Sequence, residues 1–206
     1  MSNKQDLIMV VEDTHQIREL LEATLRFQGY TVESAQDGEQ ALEKISKQAP
    51  ELIITDLLMP NMDGYALLYR LHANPETRDI PILVLSATYV SREDKEFAIT
   101  LGAQEFMEKP FDISEFLIKI GEMLAQGPVT AEGVLDDQTF FQGYKTRLEA
   151  KLRAKTEQLA RTKRLLITLP EAQKAAFIKL LDDVRQSRDE IQAELREVIM
   201  NLEKLQ

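Results

Sequence analysis

The chain has no cysteine and no tryptophan. Disulfides are therefore excluded, and a reducing compartment is the natural setting. No apolar run exceeds five residues, against the roughly 18 that a helix needs to cross a bilayer. The amino-terminal stretch carries one early lysine and no long apolar region, so a secretory leader is not expected. These absences predict a soluble protein of cytoplasmic location that does not use a membrane. Glycine and proline are also sparse, at 8 and 7 in 206 residues. With 44% hydrophobic residues the chain can bury a real core, which argues against disorder.

The net charge of -10 is unevenly spread. Residues 1–127 hold 22 acidic against 11 basic side chains, and residues 128–206 hold 13 against 14. The first part would repel nucleic acid. The shift in composition predicts a boundary there, with a domain over 1–127, a linker marked by Gly127-Pro128 and Gly133 over 128–136, and a second domain over 137–206.

Short apolar runs alternate with amphipathic ones through the first part. Leu7–Val11, Thr31–Ser34, Leu52–Thr55, Ile82–Leu85 and Glu105–Met107 read as strands. Between and after them, Thr14–Phe27, Glu39–Lys47, Tyr65–His72, Glu93–Leu101 and Asp112–Ala125 read as helices. Such alternation predicts an α/β fold, a doubly wound five-stranded parallel sheet covered on both faces.

Four of these strands end on chemistry. Glu12-Asp13 follows Ile8-Met9-Val10-Val11, Asp56 follows Leu52-Ile53-Ile54-Thr55, Ser86 follows Ile82-Leu83-Val84-Leu85, and Lys109-Pro110 closes the fifth segment. Ligands of open α/β sheets bind at the carboxyl ends of the strands. Singly, each residue has a plain structural explanation: Asp56 as a turn residue, Glu12-Asp13 as a helix cap, Ser86 as a loop hydroxyl, Lys109 as a solvated charge. Together they place acids, a hydroxyl and a cation at one sheet edge.

Five pieces carry a family resemblance: Val10-Val11-Glu12-Asp13, Thr55-Asp56-Leu57-Leu58-Met59-Pro60, Met62-Asp63-Gly64, Leu85-Ser86-Ala87 and Glu108-Lys109-Pro110-Phe111. In this order they resemble the receiver domain of bacterial two-component response regulators over residues 5–125. The resemblance implies a flavodoxin-like receiver in which Asp56 accepts a phosphoryl group from a sensor histidine kinase or a phosphotransfer protein. It implies Mg²⁺ as cofactor, held by Asp13, Asp56 and the backbone carbonyl of Leu58, with Glu12 acting through metal-bound water. Lys109 would pair with Asp56 at rest and with a phosphoryl oxygen afterwards, Ser86 would donate its hydroxyl, and the Lys109–Pro110 bond would be cis. Phe106 stands at the family's aromatic switch position, without the phenolic hydroxyl of the tyrosine also common there. Such a protein is not an enzyme beyond assisting its own phosphotransfer and dephosphorylation. His15 reads as a solvent-facing helix residue, and His72 as a helix-end cation.

The remainder predicts a long antiparallel helical hairpin, coiled-coil-like, over Asp137–Leu169 and Pro170–Leu205. Phe177, Leu181, Val184, Arg188, Ile191, Leu195, Val198, Leu202 and Leu205 form a regular heptad ladder. The first helix shows a poorer one from Phe141 through Tyr144, Leu148, Leu152, Lys155, Leu159, Thr162, Leu166 and Leu169. Ile178, Leu180 and Ile199 widen the stripe, which predicts a homodimer through this hairpin. The hairpin has no histidine, so it is not a phosphotransfer module. Eight Lys or Arg between Lys145 and Arg164, opposed only by Glu149 and Glu157, leave a nucleic-acid-binding output open, although no aromatic residues accompany them. An acidic protein surface satisfies the same charges. The heptads run on to the last residues, which leaves open a truncated enzymatic output domain. Output by protein–protein interaction is the expectation.

Overall fold

The computed structural model describes residues 6–87, 92–128 and 136–205. They fall into two compact units that divide at Asp136.

The first unit holds five strands, β1 (Leu7–Val11), β2 (Thr31–Ala35), β3 (Leu52–Asp56), β4 (Ile82–Ala87) and β5 (Glu105–Lys109). Its helices are α1 (His15–Phe27), α2 (Gly38–Lys47), α3 (Gly64–Ala73), α4 (Arg92–Thr100) and α5 (Ile113–Gln126). The strands pair in parallel in the order β2-β1-β3-β4-β5. Every residue of β1 is buried, because a parallel sheet is covered on both faces. Ile8, Val10, Leu52, Ile54, Leu83 and Leu85 meet Leu21 and Leu25 of α1 and Phe116, Ile120 and Met123 of α5 in one apolar cluster. The alternate residues Met9, Val11, Ile53 and Val84 are equally buried and point to the opposite face. At roughly 1.5–3 kcal/mol per buried aliphatic side chain, these two layers dominate the stability of the unit.

Helix ends follow their sequence signals. Asp37, Asp63 and Asp112 cap α2, α3 and α5 through backbone N–H groups of the first turns. Gly29, after α1, has φ of 91°, a region glycine enters freely.

Strand order reverses about β1: the chain runs from β1 outward to β2, then returns past β1 to β3. The ends of β1 and β3 therefore flank the switch point where such sheets open a crevice.

His72 stands in the last turn of α3, as expected, but is buried there. It is 7% exposed, and its Nδ1 lies 3.1 Å from the carbonyl oxygen of Leu101. Gly102, at φ 101°, leaves room for the ring: a Cβ there would stand 2.8 Å from Nδ1. The α4–β5 connection folds over this helix end.

The second unit is α6 (Asp137–Thr168) and α7 (Glu171–Lys204), joined by Leu169-Pro170. Asp136 caps α6 through the N–H of Thr139. Leu159, Leu181 and Val184 form a buried cluster, and the Tyr144 hydroxyl donates to the Glu194 carboxylate between the helices. Phe140, rather than the expected Phe141, is fully buried at the start of α6, where the ring stacks on Tyr144 at 5.3 Å. Arg188 interrupts the apolar ladder, and its guanidinium pairs with neighbouring Asp189. Its stem packs while its head reaches water. Ile178 and Leu180 are exposed as expected, whereas Ile199 is half-buried.

Candidate functional site: an acidic crevice at the strand ends

β1 delivers Glu12 and Asp13 just past its carboxyl end, and β3 ends on Asp56 itself. The two strands pair with Val11 opposite Thr55, so these acids emerge side by side. Carboxylate oxygens of Glu12, Asp13 and Asp56 lie within 4.8 Å of one another. Glu12 is almost fully buried, and Asp13 is exposed to solvent.

Each acid is oriented. Asp56 Oδ1 accepts from the N–H of Leu57 at 2.5 Å and of Leu58 at 3.2 Å. Its Oδ2 accepts from Lys109 Nζ at 2.7 Å. The same ammonium donates to Glu12 Oε2 at 2.5 Å, and Glu12 Oε1 accepts from the N–H of Thr14 at 3.2 Å. Lys109 is carried by the last residue of β5 and precedes a cis bond to Pro110. β4 places Ser86 beside this group, because Leu85 stands opposite Asp56 in the ladder. Ser86 is 0% exposed, and its hydroxyl has no hydrogen-bond partner among the described residues. It belongs to β4 itself rather than to the loop that follows. A buried hydroxyl without a partner is costly, and one beside an acidic cluster is poised to donate to an incoming anion.

Electrostatics follow from this packing. Burial pushes the Glu12 carboxyl above its usual value, and contact with Lys109 only partly offsets that. Burial alone would lower the Lys109 pKa, but the charge of Asp56 and the hydrogen bonds to both acids outweigh it and raise the pKa. One ammonium faces three carboxyl groups. Clustered hard oxygen donors and an uncompensated negative charge fit a hard divalent cation held by Glu12, Asp13 and Asp56.

Phe106 pairs with Val84 on β5 and is half-buried. Lys95 of α4 stands over its ring, 5.3 Å from the centroid. That distance is within the range of a cation–π contact. His15 is solvent-facing, 3.7 Å from Glu19.

Sequence reasoning overlooked Arg18. Its guanidinium donates to the carbonyl oxygens of Glu12 at 2.6 Å and Asp13 at 3.3 Å, which ties the acidic turn to α1. A lone arginine on an amphipathic helix carries no signal of such a contact.

The sequence matches the response regulator receiver domain over residues 8–121. A response regulator, MprA, of Mycolicibacterium vanbaalenii is 37% identical over 117 residues, covering 57% of this chain and 49% of that protein. The chain thus spans about half the length of the curated relatives it matches. Two solved structures share the fold. The signal receiver domain of a signal transduction histidine kinase from Syntrophus aciditrophicus is 32% identical, with a TM-score of 0.56 over 63% of this chain and 98% of its own. The chemotaxis protein CheY4 of Vibrio cholerae is 32% identical, with a TM-score of 0.55 over 58% of this chain and 98% of its own. No helix among the described residues is long and apolar enough to cross a membrane.

Proposed function

Because this chain belongs to the response regulator receiver family, we propose that its first unit is a phosphorylation switch with Asp56 as acceptor. The observation that carries this reading is the convergence of Asp56, Lys109 and the unpartnered Ser86 hydroxyl at one strand edge. A carboxylate oxygen of Asp56 would attack the phosphorus of a phosphohistidine on a sensor kinase or phosphotransfer protein. The P–N bond breaks, its electron pair leaves with the imidazole, and an acyl phosphate forms. Mg²⁺ is the ion we assign to the cluster, with Asp13, Asp56 and the Leu58 carbonyl as ligands and Glu12 acting through water. When bound, it neutralises charge on the transferring group. Lys109 would exchange its contact with Asp56 for a phosphoryl oxygen, and Ser86 would donate to another. Loss of the Lys109–Asp56 contact and engagement of Ser86 would let Phe106 turn inward and alter the surface around α4, β5 and α5.

The second unit would carry the output by protein–protein contact, with a second copy or another partner. Leu165, Ile167, Ile178 and Leu180 are exposed on either side of the α6–α7 connection, with Ile167 82% accessible. Exposed aliphatic groups favour a protein partner over nucleic acid.

Incubation with Mg²⁺ and a small phosphodonor tests the reading. Wild type should gain the mass of one phosphoryl group, and Asp56→Asn should gain none. An equal gain in both, or in neither, refutes the assignment. A change in hydrodynamic size on phosphorylation would link the hairpin to the switch.

A further inference from the structure

The loop from Leu57 to Asp63 leaves the site and returns as α3, and a buried carboxylate outside the acidic cluster grips it. Asp37 is 5% exposed. Its Oδ1 accepts from the N–H of Gln40 at 2.8 Å, which caps α2. That task needs one oxygen. The other, Oδ2, accepts from the side-chain amide of Asn61 at 2.8 Å, across 24 residues of sequence. Asn61 is the only described non-glycine residue at positive φ, 62°. The next residues add a second tie, since the N–H of Gly38 donates to the Met62 carbonyl at 3.0 Å. No side chain fits at Gly38, where a Cβ would stand 2.8 Å from Met62 Cγ. At the loop's base the N–H of Gly64 donates to the Leu57 carbonyl at 3.1 Å, and a Cβ on Gly64 would stand 2.3 Å from the Asp56 carbonyl oxygen.

The loop is thus held at its base against β3 and at its far side against the start of α2. Leu58 lies between these anchors, and its side chain is exposed and packs little. Its backbone is therefore placed by these anchors and by its own N–H, which donates to Asp56 Oδ1 at 3.2 Å, rather than by burial of its side chain.

We infer that Asp37 is a positioning residue for the cation site, acting through Asn61 to hold the loop whose Leu58 carbonyl completes the ligand set. This rests on the Mg²⁺ reading above. Residues one step removed from a metal orient its ligands, and their loss commonly weakens affinity about 10–100-fold. A residue that only capped α2 would leave metal affinity unchanged when the loop side of the contact is removed.

Asn61→Gly is the deciding variant. Glycine accepts positive φ freely, and the Asp37 cap on Gln40 remains, so the fold is retained while the amide contact is lost. Mg²⁺ titration by calorimetry on the full chain is compared among wild type, Asn61→Gly, Asp37→Ala and the double variant. The expected result is an affinity about tenfold weaker in each single variant, with the double variant no weaker than either, because both remove one contact. Wild-type affinity in Asn61→Gly, or a double variant weakened by the product of the two effects, overturns the inference. Failure of wild type itself to bind Mg²⁺ would instead refute the underlying site, so the two failures are distinguishable.

Discussion

Lys109 and Asp56 meet at 2.7 Å although 53 residues separate them. The contact exists because β3, β4 and β5 are consecutive neighbours and all end at the same edge. It also sets up a competition, since the oxygens that Lys109 neutralises are those a cation or phosphoryl group would use.

Replacing Lys109 by methionine removes the ammonium that pairs with the carboxylates of both Glu12 and Asp56. The metal-free protein should lose about 1–3 kcal/mol, the cost of leaving a buried charged partner unpaired. Mg²⁺ affinity should rise, because a positive charge no longer competes for the carboxylates. Urea denaturation without metal and calorimetric titration would measure the two effects.

The same pair predicts a pH dependence. The folded-state pKa of Lys109 is raised above its ordinary 10.5. A base with a raised folded pKa contributes stability fully present below its unfolded value and lost as pH climbs through the folded value. The stability gap between metal-free wild type and Lys109→Met should therefore be constant at neutral pH and shrink above about 10.5. Denaturant midpoints taken from pH 7 to 11 test this.

Two glycines should respond differently to alanine. At Gly64 the new Cβ would meet the backbone of Asp56 and Leu57 at 2.3 and 2.7 Å, and neither can swing aside. We expect a loss of about 2–3 kcal/mol together with impaired phosphoryl acceptance. At Gly29 nothing lies within 4 Å, so only the positive φ resists. Alanine there should cost about 1 kcal/mol and leave acceptance intact. Thermal melts paired with phosphorylation assays separate the cases.

In the hairpin, Leu159→Ala should cost about 2–4 kcal/mol, because the side chain is buried with Leu181 and Val184. Ile167→Ser, at an exposed position, should change stability by less than about 0.5 kcal/mol yet weaken any association made through this end. Circular dichroism melts and light scattering read the two outcomes.

The parallel sheet, its helices and the two long helices were legible because hydrophobic period and strand-end residues are local properties of the chain. The positions of Glu12, Asp13, Asp56, Ser86 and Lys109 at strand ends were legible for the same reason. Phe140 was misjudged because two adjacent phenylalanines satisfy the same pattern until packing buries one. For Arg188 the sequence left the direction of the head open, because a heptad position does not say where a long side chain puts its charge. The helix-end place of His72 was legible, but its burial was not, because a segment 29 residues away leaves no local trace.

The sequence by itself determined which chemical groups this protein carries and that they stand at the ends of strands. Only the tertiary structure decided that Lys109 bridges Glu12 and Asp56, that Arg18 ties the acidic turn, and that Asp37 reaches Asn61. Periodicity and turn chemistry act between near neighbours in the chain, whereas these contacts depend on the order in which strands pair and on the loops that this order brings together.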